Sequence, residues 1–295
     1  MMDLSQHITS RAPLILDGAM GTLLQGRGHD LPEPLWSAAA VESNPEMITA
    51  IHREYIDAGA EVITTATFRT TRRIYERAGS ELDAKTVNTR AVACAREAVG
   101  YRQDVFVAGS VAPLEDCYRP DLVPDDGELA AEHREQIAWL IEAGVDGLLF
   151  ETMNTIREAE TCARIAHDLA FPFFVSFVCD RPGKLLSGES ILEAASAIIP
   201  FQPLALVINC THPAIIGETL EALHQNTEYP LGAYANVGHS IPEQGGTIDQ
   251  ILSPAGYLRY VKHWMGFGLR LVGGCCGTTP EHIRNIRDYL NRKPD

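Results

Sequence analysis

The sequence lacks a long hydrophobic run and an export signal. Its longest apolar run, Phe171 to Cys179, is well short of the roughly 18 residues that cross a bilayer. The amino-terminal end has only Arg11 before a short apolar run, so no secretory signal is expected. These absences predict a cytoplasmic protein without a membrane partner.

Basic residues are scarce: 24 Lys and Arg against 39 Asp and Glu give a net charge of −15. Such a charge repels phosphate backbones, and no local basic patch offsets it, so we predict no nucleic-acid partner. Low-complexity and linker-like segments are also absent. The apolar content of 45% is typical of a globular core, which predicts one domain over residues 1–295.

The cysteines number seven, an odd count that does not suit a disulfide framework in a long chain without an export signal. Buried thiols, catalysis or metal binding are the alternatives. Cys275 and Cys276 are adjacent, and a disulfide between neighbours is strained and rare. This pair therefore needs another explanation.

Short apolar runs alternate with amphipathic segments along the chain, which predicts eight strands and eight helices. The predicted strands are 14–16, 62–65, 105–108, 147–150, 173–177, 205–209, 231–234 and 269–274. The predicted helices are 45–58, 82–99, 129–143, 155–169, 191–199, 214–224, 254–265 and 280–290. Eight β/α units in about 250 residues predict an α/β fold, a single (β/α)8 TIM barrel. A doubly wound open sheet is the alternative, because local patterning does not prove closure.

Three cysteines fall where a parallel barrel builds its active site, at the carboxyl ends of strands. Cys210 follows the sixth predicted strand, and Cys275 and Cys276 follow the eighth. Those two strand ends lie within about 10 Å, since neighbouring strands are about 4.8 Å apart. Glycines on both sides of the pair allow two consecutive thiols to turn toward one point. Three thiolates favour Zn²⁺, so the sequence predicts a zinc site.

The other four cysteines are interpreted differently. Cys94 and Cys162 lie in helical patterns and Cys179 ends an apolar run, so we interpret these three as packing residues. Cys117 lies in the irregular stretch 113–127, which follows the third strand and is a candidate lid. The role of Cys117 stays open.

Four motifs in the sequence resemble those of a known enzyme family. They are Leu16 to Thr22 (LDGAMGT), Phe150 to Thr152 (FET), Asn209 to Pro213 (NCTHP) and Gly273 to Pro280 (GGCCGTTP). In combination they resemble the homocysteine S-methyltransferase family over essentially the whole chain. The resemblance implies a TIM barrel, a zinc ion on Cys210, Cys275 and Cys276, and methyl transfer to the homocysteine thiol to give methionine.

By the resemblance and by chemistry, homocysteine is expected to contact the ends of several strands. Asp17 and Glu151 are the candidates for its ammonium group, and Ser110 for an assisting contact. The backbone amides of Gly21 and Thr22 are the candidates for its carboxylate, because a turn that opens a helix presents unpaired N–H groups. No side chain is predicted as a general base, because zinc ionises a coordinated thiol.

The methyl donor is expected to be a small cation. A sulfonium, S-methylmethionine first, suits the acidic chain, and Arg69 is placed to pair with the donor carboxylate. Betaine and a methylcorrinoid are the alternatives. The resemblance speaks against betaine, because betaine-using relatives are longer at the C-terminal end and look aromatic at the position of Arg69. The candidate donor pocket comprises Trp36, Phe68, Arg69, Tyr118, Tyr234 and Asn236.

Two hypotheses from other functional classes are the alternatives. A barrel lyase or aldolase would need a lysine at a strand end, and none of the four lysines lies there. A non-catalytic zinc or thiol redox sensor is the second, and it predicts that the cysteines oxidise reversibly without turnover.

Overall fold

Eight parallel strands surrounded by helices form the fold in the computed structural model, which describes residues 4–10, 12–238 and 252–292. Along the chain the strands are β1 (Leu14–Ile15), β2 (Val62–Thr64), β3 (Phe106–Val111), β4 (Gly147–Met153), β5 (Phe173–Phe177), β6 (Cys179–Arg181), β7 (Lys184–Leu185), β8 (Leu206–Asn209), β9 (Leu231–Ala235) and β10 (Leu271–Gly274). The small strands β6 and β7 pair only with each other, as an antiparallel hairpin. The other eight match the predicted strands, with every end within three residues.

Twelve α-helices are described in the same ranges of the chain. They are α1 (Leu4–Ser10), α2 (Gly21–Gly26), α3 (Ala38–Ser43), α4 (Pro45–Ala58), α5 (Arg72–Ala78), α6 (Ala84–Val99), α7 (Asp126–Ala143), α8 (Ile156–Asp168), α9 (Ile191–Ile198), α10 (Pro213–Asn226), α11 (Pro254–Trp264) and α12 (Pro280–Leu290). All eight predicted helices are confirmed. None of the helices in the described residues is long and apolar enough to span a membrane.

The sheet closes on itself, which decides between the two predicted topologies. The strand order is β1-β10-β9-β8-β5-β4-β3-β2, and all of these pairs are parallel. A parallel bridge between Leu16 and Val62 joins the two ends, with the Asp17 amide donating to the Val62 carbonyl at 2.9 Å. The (β/α)8 barrel is therefore confirmed, and the open-sheet alternative is wrong.

The barrel interior is filled by alternate residues of the strands, because successive side chains of a strand point to opposite faces. The inner cluster includes Leu14, Leu16, Val62, Phe106, Ala108, Leu149, Phe174, Val207, Tyr234 and Leu271. Helix α1, which the sequence pattern did not reveal, places Leu4 and Ile8 in the same cluster. Packing therefore fills the barrel below the strand carboxyl ends, and the polar residues collect above it.

Helix starts follow the capping chemistry of the sequence. The Asn44 side chain accepts from the Met47 amide at 3.2 Å, and Pro45 occupies the first turn of α4. At the start of α12, Thr279 and His282 form a capping box, in which the side chain of each residue bonds the backbone of the other. These caps set the direction in which each helix leaves its loop.

The end of β10 is packed so closely that it accepts only glycine. A Cβ on Gly273 would lie 2.6 Å from the Leu16 Cβ and 2.9 Å from the Asp17 carbonyl oxygen, and the backbone of β1 cannot yield without opening the barrel. Gly266 is exposed, and a Cβ there would have no neighbour within 4 Å.

We predict that Gly273→Ala lowers the free energy of unfolding by roughly 1 to 3 kcal/mol, the usual cost of overpacking. The matched variant Gly266→Ala should stay within about 0.5 kcal/mol of the wild type. Urea unfolding followed by circular dichroism measures both. Equal stability of the two variants would contradict the packing argument.

Candidate metal and substrate site

Three cysteine sulfurs meet at the carboxyl ends of the strands. The Sγ–Sγ distances are 3.1 Å for Cys210 and Cys275, 3.8 Å for Cys210 and Cys276, and 4.0 Å for Cys275 and Cys276. Sulfurs bound to one tetrahedral zinc ion at about 2.3 Å lie about 3.8 Å apart, so the cluster has the size that such an ion needs. Within the described residues, no other group of three His, Cys, Asp or Glu side chains has metal-site geometry.

The first of these thiols is oriented by a strained backbone and a buried amide. Cys210 and Thr152 have φ of +50° and +62°, in the left-handed region that side chains rarely adopt. The Asn209 Oδ1 accepts from the Thr152 amide at 3.1 Å and from the Ser176 hydroxyl at 2.7 Å. The Asn209 Nδ2 donates to the Thr152 hydroxyl oxygen at 2.9 Å. These bonds hold β4, β5 and β8 together just below the Cys210 thiol.

The cysteine pair lies in a loop held from both sides. The Asn236 Oδ1 accepts from the Cys276 amide at 3.1 Å, and the Thr278 hydroxyl donates to the Cys275 carbonyl at 2.7 Å. A Cβ on Gly274 would lie 2.4 Å from the Thr278 Oγ1. Both thiols are therefore directed toward the β8 end before any ion binds.

The three thiols shift one another's pKa values. Hydrogen bonds from Cys275 and Cys276, together with others from Tyr118 and Thr152, hold the pKa of Cys210 well below its usual value. The pKa values of Cys275 and Cys276 are raised, chiefly through their hydrogen bonds with Cys210. One thiol of the cluster thus ionises easily, and the remaining two need a cation to do so.

Glu151 and Ser110 form a hydrogen-bonded pair near the cluster. The Ser110 hydroxyl donates to the Glu151 Oε1, and the Tyr234 hydroxyl donates to the Glu151 Oε2 at 3.3 Å. Burial raises the pKa of Glu151 to about 7, more than these two bonds lower it. Glu151 is still partly exposed, so a ligand can reach it.

Asp17 is a second buried carboxylate on this face. Its oxygens accept from the Thr64 amide at 2.8 Å and from the Thr64 hydroxyl at 3.0 Å. Burial nevertheless raises the pKa of Asp17 well above its ordinary value, and the nearby Glu151 charge adds to the rise. Neither carboxylate has a cationic side chain as a partner in the described parts of the chain. Both would be stabilised as anions by a bound cation.

A threonine cluster that the sequence analysis did not assign supports Ser110. The Thr65 Oγ1 accepts from the Ser110 amide at 3.0 Å, and the Thr67 hydroxyl donates to the Ser110 carbonyl at 2.6 Å. The two threonine hydroxyl groups are 2.7 Å apart. The run of threonines after β2 is visible in the sequence, but its hydrogen bonds to Ser110 depend on the position of the neighbouring strand β3.

Gly21 and Thr22 begin helix α2 beside the cysteine loop. Their amides donate to no atom of the described residues, as is usual for the first turn of a helix, and their role toward the substrate stays a prediction. The Thr22 hydroxyl oxygen accepts from the Gly277 amide at 2.9 Å. A Cβ on Gly21 would lie 2.4 Å from the Trp36 ring. The indole therefore packs directly on the turn that carries the two free amides.

The residues predicted for the donor fall into two groups. Trp36 and Phe68 are in edge contact with ring centroids 6.0 Å apart, and the Arg69 guanidinium carbon lies 5.8 Å from the Phe68 centroid. Arg69 donates weakly to the Glu115 carbonyl at 3.4 Å and has no ion pair with a carboxylate in the described residues. The second group, Tyr118, Tyr234 and Asn236, touches the thiol cluster or Glu151.

The segment 113–127 is anchored along its length. The buried Glu158 Oε1 accepts from the Leu114 amide at 2.9 Å and contacts the His133 Nε2 at 2.9 Å. The Asn154 Nδ2 donates to the Cys117 carbonyl at 2.9 Å. These bonds tie the first part of the segment to α8 and to the end of β4, and its role as a lid stays a prediction. Glu158 and Asn154 belong to no local motif, so these contacts could not be predicted from the sequence.

Comparison with known proteins agrees with the geometry. The family model described as homocysteine S-methyltransferase matches residues 14–290. The chain belongs to the homocysteine S-methyltransferase family. It is 32% identical over 301 residues to homocysteine S-methyltransferase YbgG of Bacillus subtilis, covering 95% of this chain and 96% of the relative.

Solved structures of a family member have the same fold. The metallated form of the homocysteine methyltransferase MmuM from Escherichia coli aligns with a TM-score of 0.83 at 30% identity, over 96% of this chain and 98% of that one. Its oxidised form aligns with a TM-score of 0.84 at 30% identity, over 96% and 97%. The chain is thus an enzyme of the methyltransferase class, and the resemblance stated from its motifs is confirmed.

The raised pKa of Glu151 predicts a stability profile for the metal-free protein. With a pKa near 4.5 unfolded and about 7 folded, Glu151 binds more protons in the folded state between these values. The free energy of unfolding should therefore fall as pH rises from 4.5 to 7, by roughly 1 to 3 kcal/mol from this group. Glu151→Gln should remove that part of the decline. Urea unfolding at several pH values measures it.

The control is Glu218→Gln, since Glu218 is exposed on α10. Its profile should run parallel to that of the wild type. A decline in Glu151→Gln as steep as in the wild type would show that Glu151 does not carry the effect.

Proposed function

We propose that the protein transfers a methyl group from a small sulfonium, S-methylmethionine first, to the thiol of homocysteine, giving methionine in a zinc-dependent reaction. The observation that carries the proposal is the juxtaposition of three clustered thiols with two buried carboxylates for which the described residues supply no cationic partner. We also propose that residues 1–295 form one domain and that the enzyme is cytoplasmic.

The two carboxylates suit the ammonium group of homocysteine. Glu151 is reachable from the barrel mouth, and its oxygens are held by Ser110 and Tyr234. A bound ammonium would offset the cost of ionising Glu151 and Asp17 in a buried site. The free amides of Gly21 and Thr22 are the proposed contact for the substrate carboxylate. These opposed contacts would fix the amino acid and direct its side chain toward the cysteines.

The thiol cluster suits a zinc ion by the number, type and spacing of its donors. Bound zinc would supply the ionisation of the homocysteine thiol at neutral pH. Three cysteine thiolates on a dication leave a net charge of about −1, so the substrate sulfur would stay electron-rich. No protein side chain then has to remove the thiol proton.

The methyl transfer itself balances without a further reactant. The homocysteine thiolate attacks the methyl carbon in line with the bond to the donor sulfur, and a new S–C bond forms. The electron pair of the old bond stays on the donor sulfur. The anionic acceptor and the cationic donor thus yield two neutral thioethers, both of them methionine when S-methylmethionine is the donor.

The donor proposal depends on Arg69, Trp36 and Phe68. Aromatic faces favour an onium cation, and the two rings are in edge contact with each other. Arg69 lies against Phe68 and has no carboxylate partner in the described residues. S-Methylmethionine and dimethylsulfoniopropionate carry both the sulfonium and the carboxylate that this arrangement would bind. Betaine, a methylcorrinoid and the redox sensor remain the competing proposals.

Replacing one predicted ligand tests the metal part of the proposal. Cys210→Ala should lose bound zinc and methyl transfer together, because two thiols remain where three are needed. Cys94→Ala, in the helix layer, should keep both. Zinc per protein is measured by elemental analysis and folding by circular dichroism. Turnover in folded Cys210→Ala would refute the ligand assignment, and zinc binding without turnover in the wild type would favour the sensor.

Replacing Arg69 tests the donor. Arg69→Met should raise the KM for S-methylmethionine by about tenfold or more, the usual effect of losing a hydrogen-bonded charge pair. It should leave the KM for trimethylsulfonium, which has no carboxylate, unchanged. Arg53→Met is the control, since Arg53 is exposed and pairs with Glu97. Methylation from betaine but from neither carboxylated sulfonium would contradict the donor proposal.

A further inference from the structure

Tyr118 contacts the metal-site cluster from the loop side. Its hydroxyl lies 3.6 Å from the Cys210 Sγ, within reach of an O–H···S hydrogen bond. Tyr118 is partly exposed, whereas Cys210 is buried. Among the candidate donor-pocket residues, Tyr118 is thus the one with a side-chain hydrogen bond to a cysteine sulfur in the described residues.

The position of Tyr118 is fixed by contacts that do not involve the cluster. Its amide donates to the Asp116 Oδ1 at 2.9 Å, and the preceding carbonyl of Cys117 accepts from Asn154. Glu115 is bound by the guanidinium groups of Arg73 and Arg77. The backbone that carries the phenol is therefore held by contacts of the loop itself.

A hydrogen-bond donor at this sulfur has a clear electrostatic purpose. Three thiolates on one dication would leave about one negative charge in a site largely shielded from water, and the substrate thiolate would add another. A hydrogen bond to a thiolate withdraws electron density from that sulfur and offsets part of the charge. Partners of this kind commonly set metal affinity, and their removal costs about 10- to 100-fold.

We propose that Tyr118 is a positioning residue of the metal site, which donates its phenolic hydrogen to the Cys210 sulfur and so tunes the charge that this ligand presents to the ion. The inference rests on the proposed metal role of the three cysteines. It gives the 113–127 loop a function in the chemistry, because the loop carries the hydroxyl group that donates this hydrogen bond.

Tyr118→Phe tests this, because it removes only the hydroxyl and keeps the ring. With Co²⁺ in place of zinc, its sulfur-to-cobalt charge-transfer absorption should move to longer wavelength, since a thiolate without the hydrogen bond gives up electrons more easily. Its metal affinity, measured by competition with a chelator, should fall about tenfold. Neither quantity depends on turnover.

Tyr229→Phe is the matched control, because the Tyr229 hydroxyl donates to the Pro203 carbonyl at 2.7 Å, away from the cluster. It should match the wild type in both measurements. A Tyr118→Phe spectrum and affinity identical to those of the wild type would overturn the inference while leaving the metal site intact. Absence of thiolate-to-cobalt absorption in the wild type would instead overturn the proposed metal site, so the two failures are distinguishable.

Discussion

One electrostatic constraint underlies the whole site: five acidic groups are gathered in a largely buried space where the described part of the chain supplies no cationic partner for the carboxylates. They are Cys210, Cys275, Cys276, Asp17 and Glu151. Parallel strands in a closed barrel all end on the same face, so the fold brings these groups together whether or not they repel. Their anionic forms are costly without cations. A metal ion, a substrate ammonium group and a sulfonium are three cations that such a site can accept.

The acidic groups are held in place by strand ends and by buried amide side chains. Asn209 ties β4, β5 and β8 together beneath Cys210, and Asn236 holds the amide of Cys276. Residues with positive φ, Thr152 and Cys210, lie at these same strand ends. Backbone strain of this kind persists only where surrounding bonds over-determine it. The thiols are therefore aimed before any ion arrives, which reduces the ordering that binding has to supply.

Much of the architecture could be predicted from the sequence because it is written in local patterns. The alternation of apolar runs and amphipathic segments located all eight barrel strands, and the position of Cys210 and the Cys275–Cys276 pair after two of them predicted the cluster. Family motifs then pointed to the activity class. In each case the signal lies within a few residues along the chain or follows from barrel geometry.

The features that sequence reasoning missed depend on contacts between distant residues. Glu158 lies in an ordinary amphipathic helix, yet its carboxylate bonds the Leu114 amide, 44 positions away in the chain. The threonines after β2 bond Ser110 on β3 for the same reason. Helix α1 has only two buried apolar residues, Leu4 and Ile8, too few for a periodic pattern. Such roles emerge only once tertiary packing defines which backbone groups lack partners.

The raised pKa of Glu151 ties the stability of the protein to its task. A carboxyl group with a pKa of about 7 is partly protonated at neutral pH, and ionising it in the empty site costs stability. A cation bound beside the carboxylate offsets that cost. The buried acid therefore lowers the stability of the ligand-free protein and favours the binding of a cation. Replacing Glu151 by glutamine would remove this cost to the stability of the fold, and it would also remove the attraction for a bound cation. The proposed binding role would account for an ionisable side chain here, since a purely structural role would favour a neutral one.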